Sequence, residues 1–456
     1  MSKRLGWLLG VVVLVSVGVL VACGSKYNSS SDGLLLVGSQ GSGLIETFSF
    51  NLGKGTASAV DNTPADTVAQ TCVLNGLPSS LVVDPAGAYA YTIINANTVC
   101  DTSNPPVTSK SGILAFKINS SGTTTAVGSV VGFNPETVFF QGTTTVDSPS
   151  PAVVPGTMVM DPAGKFLFVA DRATTDSNGL YVPGAVSVFT IGSGGSVTEV
   201  PGSPFFVTNP AMTLPQQGLD IVSVAATPTV FPAIGINGVQ NAVCSEVGLN
   251  PPSSQYLYAV DQLGGQVYEF TVNSSGVLSL SAQTPVPADA LPAGIAVDPC
   301  DRFVYVSGSK NDKVSAYTIC NGTTTQSTSC PMPADGSLHA VAGSPFPLTG
   351  SVNGPGPIVV DAYGNFVYVV GTLSNTVSPL RISPVSGALS SASTTATVAT
   401  GQAPKSIAIR SDDSWMFVAN YNSASVSQYA ITPATGTLTV EQTITTDNYP
   451  WGVAVK

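Results

Sequence analysis

Charge is scarce in this chain of 456 residues. Lys and Arg number 15 and Asp and Glu 26, so charged residues make up 9%, against about 25% in an ordinary soluble domain. A coiled coil and a charged disordered tail are excluded. The balance is acidic, −11 overall, and no basic cluster occurs. Nucleic acid is therefore not expected as a partner, because that affinity comes from Lys and Arg displacing phosphate counterions. A single histidine, His339, is present, too few for multi-histidine copper, zinc or di-iron sites. Cys-x-x-Cys pairs are also missing, so no metal or cofactor is expected. No Gly-x-Ser-x-Gly elbow and no convincing amphipathic helix appear, which counts against serine-hydrolase chemistry and a helical architecture.

Only one long apolar run exists, Leu5 to Cys23, and Lys3 and Arg4 precede it. A charged start followed by an apolar stretch is the pattern of a secretory signal. The run ends Leu20-Val21-Ala22-Cys23, which resembles the bacterial lipobox, in which the cysteine is lipidated and becomes the first residue. Residues 1–22 are thus expected to be a lipoprotein signal peptide and 23–32 the lipidated Cys23 with a flexible tether, SKYNSSSD from 25 to 32. The membrane is then a partner through the lipid on Cys23. Gly24 follows where the resembling Gram-negative system uses Asp for inner-membrane retention, so the cell envelope, and the outer membrane of a two-membrane cell, is the expected location.

Six further cysteines remain, Cys72, Cys100, Cys244, Cys300, Cys320 and Cys330. An even number in an exported chain points to disulfides. Sequence does not choose the pairing. Cys320 with Cys330, closing one short polar insert, is the first expectation, and Cys72 with Cys100 the second.

The rest of the chain repeats itself. A strand-like segment of aromatic and β-branched residues recurs seven times, as GLLLVGS (33–39), AYAYTII (88–94), KFLFVAD (165–171), QYLYAVD (255–261), RFVYVSG (302–308), NFVYVVG (365–371) and SWMFVAN (414–420). An alternating strand such as GAVSVFTI or DKVSAYTI follows each, then a Gly turn and a weaker fourth strand. An apolar strand ending in a turn precedes most of them, for example PSSLVVDPAG (78–87) and PGTMVMDPAG (155–164). Asp first, Pro second and Gly fourth suit a type I turn, so Asp84, Asp161, Asp298 and Asp361 are read as turn formers. The first unit lacks its leading strand, and the chain ends with one, PWGVAVK (450–456), that has nothing after it. The expected fold is all-β, a seven-bladed β-propeller of four-stranded antiparallel blades over 33–456, closed by the C-terminal strand in the first blade.

These residues resemble the lactonase-like propeller family, with its YVTN-type repeats and proteins similar to 6-phosphogluconolactonase. The motif is P-x-x-I-x-V-D-P-x-G, a strand of the FVYV kind, then N-x-V-S-x-Y-x-I. It speaks for the architecture rather than for catalysis. In such propellers the innermost strands line a channel, which puts Ser79, Gly156, Gln217, Ala293, Gly356, Lys405 and Trp451 at its mouth. Lys405 and Trp451 then form a cationic, aromatic edge for an anionic or sugar-like ligand. Asp220 aligns with the small apolar positions of the innermost strands. Asp171, Asp261 and Asn420 fall on the loop face as further ligand contacts. The leading expectation is a monomeric, lipid-anchored binding or scaffold module holding a small-molecule or protein ligand at that face. The alternative implied by the resemblance is lactone hydrolysis, with Asp220 as base and Arg172 or Lys405 stabilising the oxyanion. His339, in a fourth strand, is read as structural.

Overall fold

The computed structural model describes residues 32–60, 76–96, 111–133, 154–175, 181–207, 219–228, 254–321, 335–348, 352–392 and 397–456, with short pieces at 138–139, 145–146, 235–236, 239–240, 330 and 350. The expectations for residues 1–31, with Cys23, and for Cys72, Cys100, Cys244 and Gln217 lie outside these residues.

Apolar and β-branched residues at period two produce seven antiparallel sheets arranged as blades. The third blade is typical, with strands Val154–Met160, Phe166–Arg172, Ala185–Ile191 and Val197–Glu199 in spatial order. The first blade combines Asp32–Ser39, Leu44–Asn51 and Ala57–Ala59 with the C-terminal Pro450–Val455, where Leu35 pairs with Val455 and Val37 with Val453. The expected closure is therefore present. Each innermost strand contacts that of the next blade all the way round, the last completing the circle with the first. Hydrophobic clusters fill the seams between adjacent blades; one holds Phe168 of the third with Leu257 and Phe270 of the fourth, all buried.

The turn residues behave as read. Asp161 Oδ1 accepts the N–H groups of Lys165 and Phe166 at 2.5 and 2.6 Å, and Gly164 N bonds Asp161 O at 2.8 Å. Asp84 and Asp361 repeat this arrangement. Glycine in the turn between third and fourth strands has its own cause. At Gly336, Gly387 and Gly436 the backbone has φ of 78, 72 and 70°, and a Cβ would land 2.3–2.5 Å from the ring of Tyr256, Phe303 or Phe366 on the preceding blade. Only glycine fits both demands. The same carbonyls accept Tyr258, Tyr305 and Tyr368 hydroxyls at 2.7, 3.0 and 3.2 Å, so the aromatic middle strand and the Gly turn of the next blade form one latch.

Four blades carry an additional two-residue strand on the third strand, at Phe205–Phe206, Val286–Pro287, Phe346–Pro347 and Val398–Ala399. These were not expected, although Gly-Ser-Pro-Phe recurs at 202–205 and 343–346. Cys320 and Cys330 are joined, as expected. Cys300 is disulfide-bonded too.

Hydroxyls stitch the innermost strands together. Ser80 Oγ accepts Met158 N at 3.0 Å, Thr157 Oγ1 accepts Val224 N at 3.3 Å and Ser406 Oγ accepts Val453 N at 3.4 Å. Ser80→Ala leaves a part-buried N–H without its acceptor and is expected to lower stability by about 1–2 kcal/mol, read by urea unfolding.

Candidate functional site

Strand register fixes which positions are equivalent. Val82 lies opposite Tyr91, Val159 opposite Phe168, Ala296 opposite Tyr305 and Val359 opposite Tyr368. In the fourth blade Tyr258 lies opposite Ala225. The expectation that Asp220 occupies this channel position is therefore corrected: Ala225 holds it, and Val222, rather than Gln217, holds the mouth position. The fourth unit has no Asp-Pro-x-Gly turn to fix its register from sequence.

The upper end of the channel opens into a mouth of about 510 Å³ lined by residues from all seven blades, including Ser79, Gly156, Val222, Ala293, Gly356, Lys405 and Trp451. Small residues here permit close approach of neighbouring strands: a Cβ on Gly156 would meet Val222 O at 2.6 Å, and one on Gly294 would meet Gly356 O at 2.5 Å. The mouth is thus a nearly neutral ring of backbone and small side chains interrupted at two seams.

At the seam of the third and fourth blades, Arg172 and Asp220 form a bidentate pair. Arg172 Nη2 donates to Asp220 Oδ2 at 2.7 Å and Nε to Oδ1 at 3.2 Å, and Ala173 N adds a third bond to Oδ1 at 3.0 Å. Asp220 side-chain exposure is 8% and that of Arg172 41%. The carboxylate is enclosed while the guanidinium faces the mouth, where Nη2 also reaches Gln262 Oε1 at 3.4 Å. Asp220 precedes its innermost strand, and that position abuts the loop of the previous blade.

The seam of the seventh and first blades is built from the same positions but with aromatic residues. Tyr421, equivalent to Arg172, packs on Tyr449, equivalent to Asp220, with ring centroids 4.9 Å apart. Trp451 meets Tyr421 edge-on at 5.4 Å, and Lys405 Nζ lies over the Trp451 ring at 5.2 Å. Lys405 and Trp451 come together as the sequence implied.

Asp171, Asp261 and Asn420 do not serve as rim contacts; all three have 0% exposure. They end the middle strands and turn inward to hold the loops. Asp171 accepts Ser187 Oγ at 2.6 Å, Asp261 accepts Asp220 N at 2.9 Å, and Asn420 donates to Ser427 Oγ at 2.9 Å. Burial pushes the Asp261 carboxyl up, partly offset by the backbone N–H groups it accepts. His339 is in the outer strand Leu338–Ala340, as read. Its ring lies near the Cys320 and Cys330 sulfurs, which are bonded to each other.

Raised carboxyl proton affinities also occur elsewhere. On the opposite face Asp361 is pushed up to about 6, by burial first and then by the Asp298 charge, and Asp413 to about 7, by burial first and then by the Asp361 charge. Their contacts are structural: Asp413 Oδ1 accepts Ala362 N of the neighbouring blade at 2.9 Å. Glu46, held by Ser39 Oγ and Asp447 N, is likewise pushed up to about 7 by burial. In the unfolded chain these groups titrate near ~4, so the folded state binds protons more tightly. Their stabilisation is complete below about pH 4 and is lost as pH rises through the folded values near 6 to 7. Thermal unfolding is expected to show a midpoint several degrees higher at pH 5 than at pH 8, with a smaller difference in Asp413→Asn.

Comparison with known proteins places this geometry. Residues 329–455 match the family described as lactonase, 7-bladed beta-propeller. The match spans the outer strand of the fifth blade, the sixth and seventh blades and the closing strand, and so agrees with the fold. The periplasmic gluconolactonase of Pseudomonas aeruginosa superposes with a TM-score of 0.61 at 16% identity, over 93% of this chain and 99% of that one. A Bacteroides uniformis protein provisionally named a 6-phosphogluconolactonase gives 0.59 at 17%, over 93% and 100%. A Lactobacillus plantarum protein gives 0.60 at 16%, over 93% and 99%. At such identities these neighbours establish the fold alone, a seven-bladed propeller. No curated protein matched the chain in sequence.

Proposed function

We propose that the propeller binds a small hydroxyl-rich anion, the carboxylate of a sugar acid, at the channel mouth. The carrying observation is the pair of cations on opposite seams, Arg172 on one and Lys405 above the Trp451 ring on the other, around a mouth of about 510 Å³. A carboxylate suits the guanidinium, and the face of a sugar suits the indole. The surrounding Ser79, Thr157, Thr372 and Ser406 supply hydroxyls for the remaining polar groups. The gluconolactonase among the structural neighbours supports the same ligand class. The lipobox-like Leu20–Cys23 supports an exported, lipid-anchored form.

Lactone hydrolysis is the second reading, favoured by the acid–base pair Arg172–Asp220 at the mouth. Against it, both Asp220 oxygens are occupied, by the guanidinium and by Ala173 N, so the carboxylate is not poised to take a proton from water. Acid release from glucono-δ-lactone in a pH-stat separates the two. The binding reading expects no release above the spontaneous rate. Turnover that disappears in Asp220→Asn would replace it with the hydrolase.

A further inference from the structure

The seam of the seventh and first blades carries a row of touching rings that leads outward from the mouth. Lys405 and Trp451 line the opening, and Tyr421 and Tyr449 continue from Trp451 through ring contacts at 5.4 and 4.9 Å. Tyr449 ends the row with 48% of its surface exposed. Its backbone is in the left-handed region, with φ of 61°, which a bulky aromatic residue adopts at a cost. Three other blades have the same conformation at the residue before an innermost strand, and they hold Leu291, Gly354 and Ala403 there, with φ of 50, 61 and 50°. Glycine or alanine therefore satisfies the fold, and the ring of Tyr449 answers to something else. The polar ends of the row are also unused. The hydroxyls of Tyr421 and Tyr449 and the indole N–H of Trp451 find no hydrogen-bond partner among the described residues, whereas the hydroxyls of Tyr258, Tyr305, Tyr368 and Tyr429 each donate to a backbone carbonyl.

We propose that Tyr421 and Tyr449 form a second subsite, a platform for a neutral sugar ring linked to the acidic residue in the mouth. The inference rests on the proposed mouth site and adds to it the ligand class: an oligosaccharide with a sugar acid at one end. Three observations select this occupant. The row is continuous with the mouth, because Trp451 belongs to both, so a second ring joined to the first reaches Tyr421 and Tyr449 along one surface. Aromatic faces edged by free donors match a pyranose, which offers an apolar C–H face rimmed by hydroxyls. An alkyl chain laid there would leave those donors without partners. Lys405, the cation of the row, stands at its inner end, so the acid sits in the mouth and the outward ring is neutral. The platform is in place before a ligand arrives: Tyr449 O accepts Gln40 N at 2.9 Å and Tyr421 N donates to Ala403 O at 3.1 Å, bonds that depend on neither ring.

The test compares D-gluconate with cellobionate and maltobionate, in which gluconate carries a β- or an α-linked glucose, by titration calorimetry on the full protein. The better of the two disaccharide acids is expected to bind at least about tenfold tighter than gluconate, the combined effect of one stacked ring and one hydrogen bond. In Tyr449→Gly the advantage should shrink to about twofold or less while gluconate binds as before. Glycine suits the left-handed backbone and keeps the bond to Gln40 N, so the variant stays folded, and its gluconate affinity reports that. Equal binding of all three acids, or an advantage that survives in Tyr449→Gly, overturns the proposal. Gluconate reports on the mouth alone. Its failure to bind would refute the mouth site, and this inference with it, whereas its binding without a disaccharide advantage refutes only the platform.

Discussion

Arg302→Met is expected to destabilise the propeller by about 3–5 kcal/mol, the usual result of removing one partner from a buried ion pair. Arg302 is 9% exposed in its side chain and Asp298 0%. The guanidinium meets the carboxylate through two bonds, Nε to Oδ2 at 2.8 Å and Nη2 to Oδ1 at 2.7 Å, and Nη2 also donates to Gly364 O at 3.1 Å. It therefore ties the fifth blade to the sixth. Methionine fills similar space but leaves a charged carboxylate enclosed beside a carbonyl. Asp298→Asn in the same chain removes that charge and keeps an oxygen for the turn N–H groups of Cys300 and Arg302, so the double variant should regain part of the loss. Urea unfolding measures both. A loss under about 1 kcal/mol in the single variant would show that the pair does not hold the seam.

Arg172→Ala is expected to weaken sugar-acid binding by about 30-fold or more, the range for losing a hydrogen bond to a charged group. The substitution removes a positive charge and also uncovers Asp220, so the mouth changes sign at that seam. Asp220→Asn should act in the opposite direction. It frees the Arg172 charge for the ligand and is expected to leave affinity unchanged or a few-fold tighter. Under the hydrolase reading the same change abolishes function. Calorimetric titration of D-gluconate into both variants gives the two signs directly.

The architecture was legible because it is repetitive. Seven FVYV-like strands at period two, and a terminal PWGVAVK with no partner of its own, led to closure between Asp32–Ser39 and Pro450–Val455. Lys405 and Trp451 were placed correctly because their units align on well-marked turns or, for Trp451, on the chain's last strand. Asp220 was misplaced by five residues because the fourth unit lacks the turn and continues into an insert. It still lies beside the mouth, behind Arg172, since the residue before an innermost strand abuts the loop of the previous blade. Its partnership with Arg172, 48 residues away in sequence, needed that three-dimensional seam. Asp171, Asp261 and Asn420 looked like rim residues because they end strands beside loops. Only the fold shows their side chains turning inward to bind Ser187, Asp220 N and Ser427.

The central claim is that the mouth recognises a hydroxyl-rich anion through its cations. Titration of D-gluconate against D-glucitol, which has the same hydroxyl chain without the carboxylate, tests it most directly. The account predicts gluconate binding at least about tenfold tighter, as one charge-assisted contact provides. Equal affinity for the two, or no binding of either, would contradict it.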